Sequence, residues 1–276
     1  MGPSSRRARL VGGALATLLA AAASAAAQGA PALARLALAE RKVEIARKGA
    51  AFQAAVEGGP VRVGEALRTG PDAVARLELP WMALTLAPGS TLRFPDAFLL
   101  SASLEDGRAL VETRGHETLK IVTAEAEVRG QGRAAVRRQG RSTLVTCLSG
   151  RFLVQGAEKS VALSARRGTV VTAGRPPTAP EAVPAAPETL WPGKDPVYVA
   201  PGESLDLRWE GEAPAYLVEL LPVGSDIVLL QRDVARPPAR IEVPWEGAFR
   251  WRVSARDARG LEGVPSEDGF IAVDAR

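Results

Sequence analysis

The densest group of chemically capable residues is VRGQGRAAVRR, Val128 to Arg138. Gly130, Gly132 and Ala135 have the G-x-G-x-x-A spacing with which a strand-to-helix turn cradles a pyrophosphate. The same stretch sets Arg129, Arg133 and Arg137 at one strand parity, with Arg141 continuing the row and Arg138 beside it. Guanidinium groups on one face can grip phosphate or carboxylate groups bidentately. Dinucleotide binding needs a helix after the glycines, inside a βαβ unit, and an acid at the end of the next strand. Only seven residues separate Gly132 from Gly140, and STLVTCL beyond them alternates as a strand does. The spacing therefore excludes a dinucleotide site and predicts a strand, a glycine kink or bulge, and a second strand. Gly130, Gly132 and Gly140 are expected to interrupt the arginine row. The competing reading of that row is a solvated edge whose charges discourage strand-to-strand aggregation.

Other chemistries find less material. His116, in TRGHET, is the only imidazole, and no G-x-S-x-G is present, so no nucleophile–base–orienter set can be assembled. Cys147 is the only cysteine and lies in the alternating run STLVTCL. It is expected to be a buried strand residue behaving as a small hydrophobe. One His and one Cys are too few for a zinc site. Carboxylates are plentiful, but no segment singles out a pair. Trp81 in ELPWMAL and Trp245 in VPWEG stand at turns and are candidate stacking surfaces for a carbohydrate. Trp209 and Trp251 are expected to fill a sandwich core.

These residues sit in a chain that reads as all-β. Residues 1–27 carry Arg6, Arg7 and Arg9, then an Ala-rich apolar run ending Ala25-Ala26-Ala27, the pattern of a cleavable signal peptide. Retention of the segment as an N-terminal anchor is the alternative. With no cysteine near the cleavage site, a lipid anchor is not expected. Three arginines and no acid in that segment take the formal charge from +4 to +1, which removes the case for a nucleic-acid partner. Residues 28–42 read as a mildly helical or frayed lead-in. Residues 43–174 read as short strands separated by turn signals such as Pro88-Gly89-Ser90 and Ser149-Gly150. They repeat too closely to admit crossover helices, so hairpins in a solenoid or sandwich-like arrangement follow. Residues 175–196 include Pro176, Pro177, Pro180, Pro184, Pro187 and Pro192 and read as a stiff linker holding two modules apart. Residues 197–276 give about seven short strands at β-sandwich spacing.

The order of motifs in residues 43–174 resembles the FecR domain, the periplasmic domain of bacterial iron-signalling regulators. The matching stretches are GPVRVGEALRTGPDAVARLEL (Gly59 to Leu79), LTLAPGSTLRF (Leu84 to Phe94) and LEDGRALVETRG (Leu104 to Gly115). LKIVTAEAEVRGQGRAAV (Leu119 to Val136) and the hairpin sequence Ser142 to Gly168 complete the series. The family's Gly-Thr-x-Phe is replaced here by Gly130-Gln131-Gly132-Arg133. Family members carry a cytoplasmic anti-sigma segment and a membrane span before this domain, where this chain has the signal-like segment. Trp209 closing LDLRW, Tyr216 opening YLVEL, and FRWRVSARDARGLEG (Phe249 to Gly263) resemble a fibronectin-III or other Ig-like sandwich.

The sequence thus leads to an exported, periplasmic or extracellular, non-enzymatic protein without cofactor or metal. Its expected role is a cell-envelope scaffold that binds a protein or a cell-wall polymer such as peptidoglycan. The alternatives are a periplasmic sensor engaging a membrane partner, which the resemblance implies, and a glycan-acting enzyme. The candidate ligand residues are Arg129, Arg133, Arg137, Arg138, Arg141, Trp81 and Trp245.

Overall fold

The computed structural model describes residues 32–47, 49–96, 101–115 and 118–274, and every α, 3-10 or β element among them is a strand. The signal segment and His116 lie outside the described residues. In chain order the first strands are β1 (Ala32–Glu40), β2 (Val43–Ala46), β3 (Gln53–Ala54), β4 (Pro60–Arg62), β5 (Ala66–Thr69), β6 (Val74–Glu78), β7 (Met82–Leu86) and β8 (Thr91–Asp96). Then come β9 (Ser101–Thr113), β10 (Leu119–Val122), β11 (Glu127–Gln139), β12 (Ser142–Gly156), β13 (Lys159–Ser164), β14 (Arg167–Thr172) and β15 (Glu181–Ala182). These fifteen form one branched sheet, antiparallel except for the β9–β10 pair. The second module has β16 (Glu188–Trp191), β17 (Val197–Val199), β18 (Ser204–Glu210), β19 (Ala215–Pro222), β20 (Leu230–Val234), β21 (Ala239–Glu242), β22 (Gly247–Arg256), β23 (Glu262–Pro265) and β24 (Gly269–Val273). A sheet ordered β16-β18-β21 opposes one ordered β17-β24-β22-β19-β20, with β23 paired to β22. The chain is an all-β, sandwich-like fold.

Period-two alternation explains both cores. In the first module Leu36, Leu67, Leu77, Leu84, Leu92, Leu104, Val111, Val136 and Val145 are buried together with Phe94. Each such side chain contributes about 1.5–3 kcal/mol by leaving water. In the second module Trp209, Tyr216 and Trp251 fill the space between the sheets, as expected for two of them from sequence. The Trp209 and Tyr216 rings meet edge-on at 5.2 Å. The Tyr216 hydroxyl donates to the Gly211 carbonyl and accepts from the Ala213 amide, which anchors the start of β19.

Three sequence expectations change. From Ala32, where its described part begins, the lead-in is neither helical nor frayed: ALARLALAE is β1, with Ala34 and Leu36 buried at alternate positions and pairing to β4 and β6. Its Ala and Leu favour a helix in isolation, but cross-strand pairing and a core site for every second residue outweigh that weak preference. The Pro-rich segment does not stand free between two separated modules. Glu181–Ala182 pairs with β14, Glu188–Trp191 pairs with β18, and Pro177, Pro187 and Pro192 are buried. The Trp251 indole N–H donates to the Pro192 carbonyl at 3.0 Å. The described residues from Ala32 onward form one compact unit.

Third, Gly130 and Gly132 do not interrupt the arginine row, whereas Gly140 does: it lies in the turn after β11 and takes Arg141 off the strand. β11 runs unbroken through Gly130 and Gly132, and its register shift against β12 arises from one extra residue, Leu148, on β12. A Cβ on Gly132 would overlap the Ser149 carbonyl, and one on Gly150 the Gln131 carbonyl, with φ of +114° and +82° at the two positions. The glycines let two backbones close up around a bulge.

Candidate functional site: the arginine layer between the modules

On β11, Val128, Ala134 and Val136 point into the first core. The opposite parity carries Arg129, Arg133 and Arg137. The neighbouring strand β9 sets Glu112 beside Arg133 and Arg108 beside Arg137. Two arginines directly opposite each other repel, so the pair persists only with carboxylates nearby. Those carboxylates come from the second module. On β22, Phe249, Trp251, Val253 and Ala255 face their own core, leaving Arg252 and Arg256 on the far side. β19 and β23 contribute Glu219 and Glu262, and β20 contributes Gln231 and Asp233.

Arg108 makes two parallel hydrogen bonds to Glu262, at 2.7 and 2.6 Å, with both side chains almost wholly buried. Glu219 lies 3.8 Å from Arg108, is held by Arg252 at 2.7 Å, and accepts from the Gln231 side-chain amide at 2.5 Å. Arg256 bonds Asp233 at 2.7 Å and approaches Glu262 at 3.8 Å. The Thr146 hydroxyl on β12 donates to the Glu262 carbonyl, and Arg259 joins Glu181 at 2.8 Å. Burial alone would push the Glu219 carboxyl up, but the charges of Arg252, Arg108 and Arg133 outweigh it and bring it down to about 2. Burial likewise opposes the charge of Arg108, and Glu262 and Glu219 more than offset it, so Arg108 is held firmly protonated. Arg133 and Arg137 are shifted down, first by burial and then by repulsion from Arg252 and Arg256 respectively. Against Arg108, Arg133, Arg137, Arg252 and Arg256 stand Glu112, Glu219, Asp233 and Glu262, so the layer stays cationic.

The arginines singled out in the sequence therefore separate. Arg133 and Arg137 are partly covered, each side chain 25% exposed, with Arg133 beside Glu112 and Arg137 reaching toward Asp233 of the second module. Arg129 is exposed and paired with Glu127. Arg138 has the other parity and is held by Glu125 at 3.0 Å. Arg141 stands in the turn between β11 and β12. Trp81 is half-buried on the first core and Trp245 half-buried against Phe249, so neither is a freely exposed stacking platform. Cys147 is fully buried, and burial pushes its thiol up to about 11. Among the described residues no group of three or more His, Cys, Asp or Glu could hold a metal ion.

Sequence reasoning missed Arg108, Glu219, Gln231, Asp233, Arg252, Arg256 and Glu262. The signal was present in FRWRVSAR, where Arg250, Arg252, Ser254 and Arg256 alternate with the core residues. Beside the layer, a cleft of about 480 Å³ opens between the modules. Arg41, Arg108, Arg137, Arg232 and Arg256 line it, with Asp72, Asp233, Gln231, Leu217 and Leu230.

No family model matches the chain, and no curated protein matches it. Two crystal structures of a "putative anti-sigma factor" from Parabacteroides distasonis ATCC 8503 are partly similar. They show 17% identity over 42% of this chain, with TM-scores of 0.38 and 0.37. The matched region spans 59% of that protein's length. At those scores the likeness defines neither a shared fold nor a shared activity.

Proposed function

We propose that the chain is an exported, non-enzymatic binding scaffold of the cell envelope. Its two β modules act as one rigid body that offers a fixed cleft to a protein or a cell-wall polymer. The observation that carries this reading is the buried layer centred on Arg108 and Glu262, which ties the modules together and gives the cleft walls from both. Preorganised walls bind without the ordering cost that a flexible two-module linker would impose. A sensor that engages a membrane partner is the second reading, and it rests on the motif order resembling the FecR domain.

Fractionation of the native host, intact mass and retention on purified peptidoglycan or envelope polysaccharide test the proposal together. A species beginning at Gln28 outside the cytoplasm, retained on the polymer, supports the scaffold. A membrane-bound full-length species co-purifying with a transmembrane regulator replaces it with the sensor. Turnover of an envelope glycan that vanishes when one carboxylate is changed overturns the non-enzymatic assignment.

A further inference from the structure

We propose that the cleft between the modules is an oxyanion site, which takes the carboxylate or phosphate group of a sugar-sized ligand between Arg137 and Arg232, with Arg108, Arg256 and Gln231 at its base. The inference deepens the scaffold reading and rests on it for the ligand's biological source. Three observations carry it. First, the lining is unbalanced, with five arginines against Asp72 and Asp233. Asp72 is occupied by Arg41 at 2.5 Å and Asp233 by Arg256 at 2.7 Å. Arg137 reaches Asp233 only at 3.9 Å, and Arg232 makes its hydrogen bond to the Arg240 carbonyl, so neither cation has a close carboxylate.

Second, polar atoms of the cleft's own residues are buried without a hydrogen-bond partner: Arg108 Nη1, Arg256 Nε and Gln231 Oε1. Their side chains belong to residues that are at least nine-tenths buried. Unsatisfied buried donors are costly, and two guanidinium donors with a nearby amide suit an oxyanion carrying one protonated oxygen or hydroxyl. Third, the volume of about 480 Å³ suits a monosaccharide-sized unit with its charged group. Leu217 and Leu230 add apolar wall for a sugar face.

The test titrates the full-length protein with glucuronate, inorganic phosphate and glucose by calorimetry and amide chemical shifts. Glucuronate and phosphate are expected to bind competitively, to weaken with salt, and to perturb residues of β11 and β20, while glucose does not bind. Arg232→Gln changes an exposed side chain and keeps the fold; it and Arg137→Gln are expected to weaken binding by ~10-fold or more. Arg129→Gln, outside the cleft, is expected to leave it unchanged. Binding of glucuronate alone assigns a uronic-acid source, and binding of phosphate alone a phosphorylated one; either supports the site. Equal losses in the Arg129 and Arg232 variants, or binding of an acidic peptide with no binding of either small anion, overturns it. Retention on envelope polymer without small-anion binding sinks the oxyanion site and leaves the scaffold standing. Small-anion binding without retention does the reverse.

Discussion

Arg108 and Glu262 are 154 residues apart in the chain and form a bidentate ion pair that joins the two β modules. Breaking a buried pair from one side strands the other charge, at a cost of about 3–5 kcal/mol. Glu262→Gln is therefore expected to lower the unfolding free energy by that amount, read as a fall in the urea midpoint at unchanged slope. Tryptophan fluorescence, to which the second module contributes Trp191, Trp209, Trp245 and Trp251, is then expected to report unfolding before a probe placed in the first. Coincident, unshifted transitions would show that the pair does not couple the modules.

Acid should loosen the same layer. Glu219 is lowered in the folded protein from the usual 4.5 to about 2. A depressed carboxyl stabilises the fold fully above its unfolded value, and that contribution is lost as pH falls toward the folded one. Urea midpoints are expected to hold from neutral pH to about 5 and to fall steadily between about 4.5 and 2. Glu219→Gln should be less stable at neutral pH and flatter across that window.

The glycines of β11 and β12 predict a contrast. Gly140, at φ +60° with open space around its missing side chain, should accept Gly140→Ala at about 1 kcal/mol. Gly132→Ala adds steric overlap with Ser149 and Gly150 to an unfavourable backbone angle and is expected to cost about 3 kcal/mol or more. Equal chemical-denaturation midpoints for the two variants would refute the close-approach account.

Cys147 gives a clean probe of opening. Its thiol is held up at about 11 and fully buried, so iodoacetamide at pH 8 should modify the native protein at least about a hundred-fold more slowly than the unfolded one. Labelling as fast in buffer as in denaturant would place the residue at the surface.

Strand periodicity was legible wherever one face meets a core, as in LTLAPGSTLRF and FRWRVSAR. It failed at β1, because ALARLALAE satisfies a helical reading until partners 25 to 43 residues away supply the pairing. The arginines at 133 and 137 were visible, but their setting was not. Parity says which residues share a face and leaves open whether water or another sheet covers it. Glu219, Asp233 and Glu262 sit 96 to 154 residues from the β9 and β11 arginines they meet, and no local pattern encodes such a meeting. The proline-rich segment misled for a related reason: its backbone partners lie on β14 and β18, outside its own sequence.

Without the second module, Arg108 and Arg137 on the face formed by β9 and β11 would lack Glu262, Glu219 and Asp233 and would lie in water. Hydrated guanidinium groups resist collapse onto stray apolar strands. They are covered only when carboxylates arrive in the matching register from the far end of the chain. The charge layer thus favours the one orientation of the second module in which Glu262, Glu219 and Asp233 meet Arg108 and Arg137.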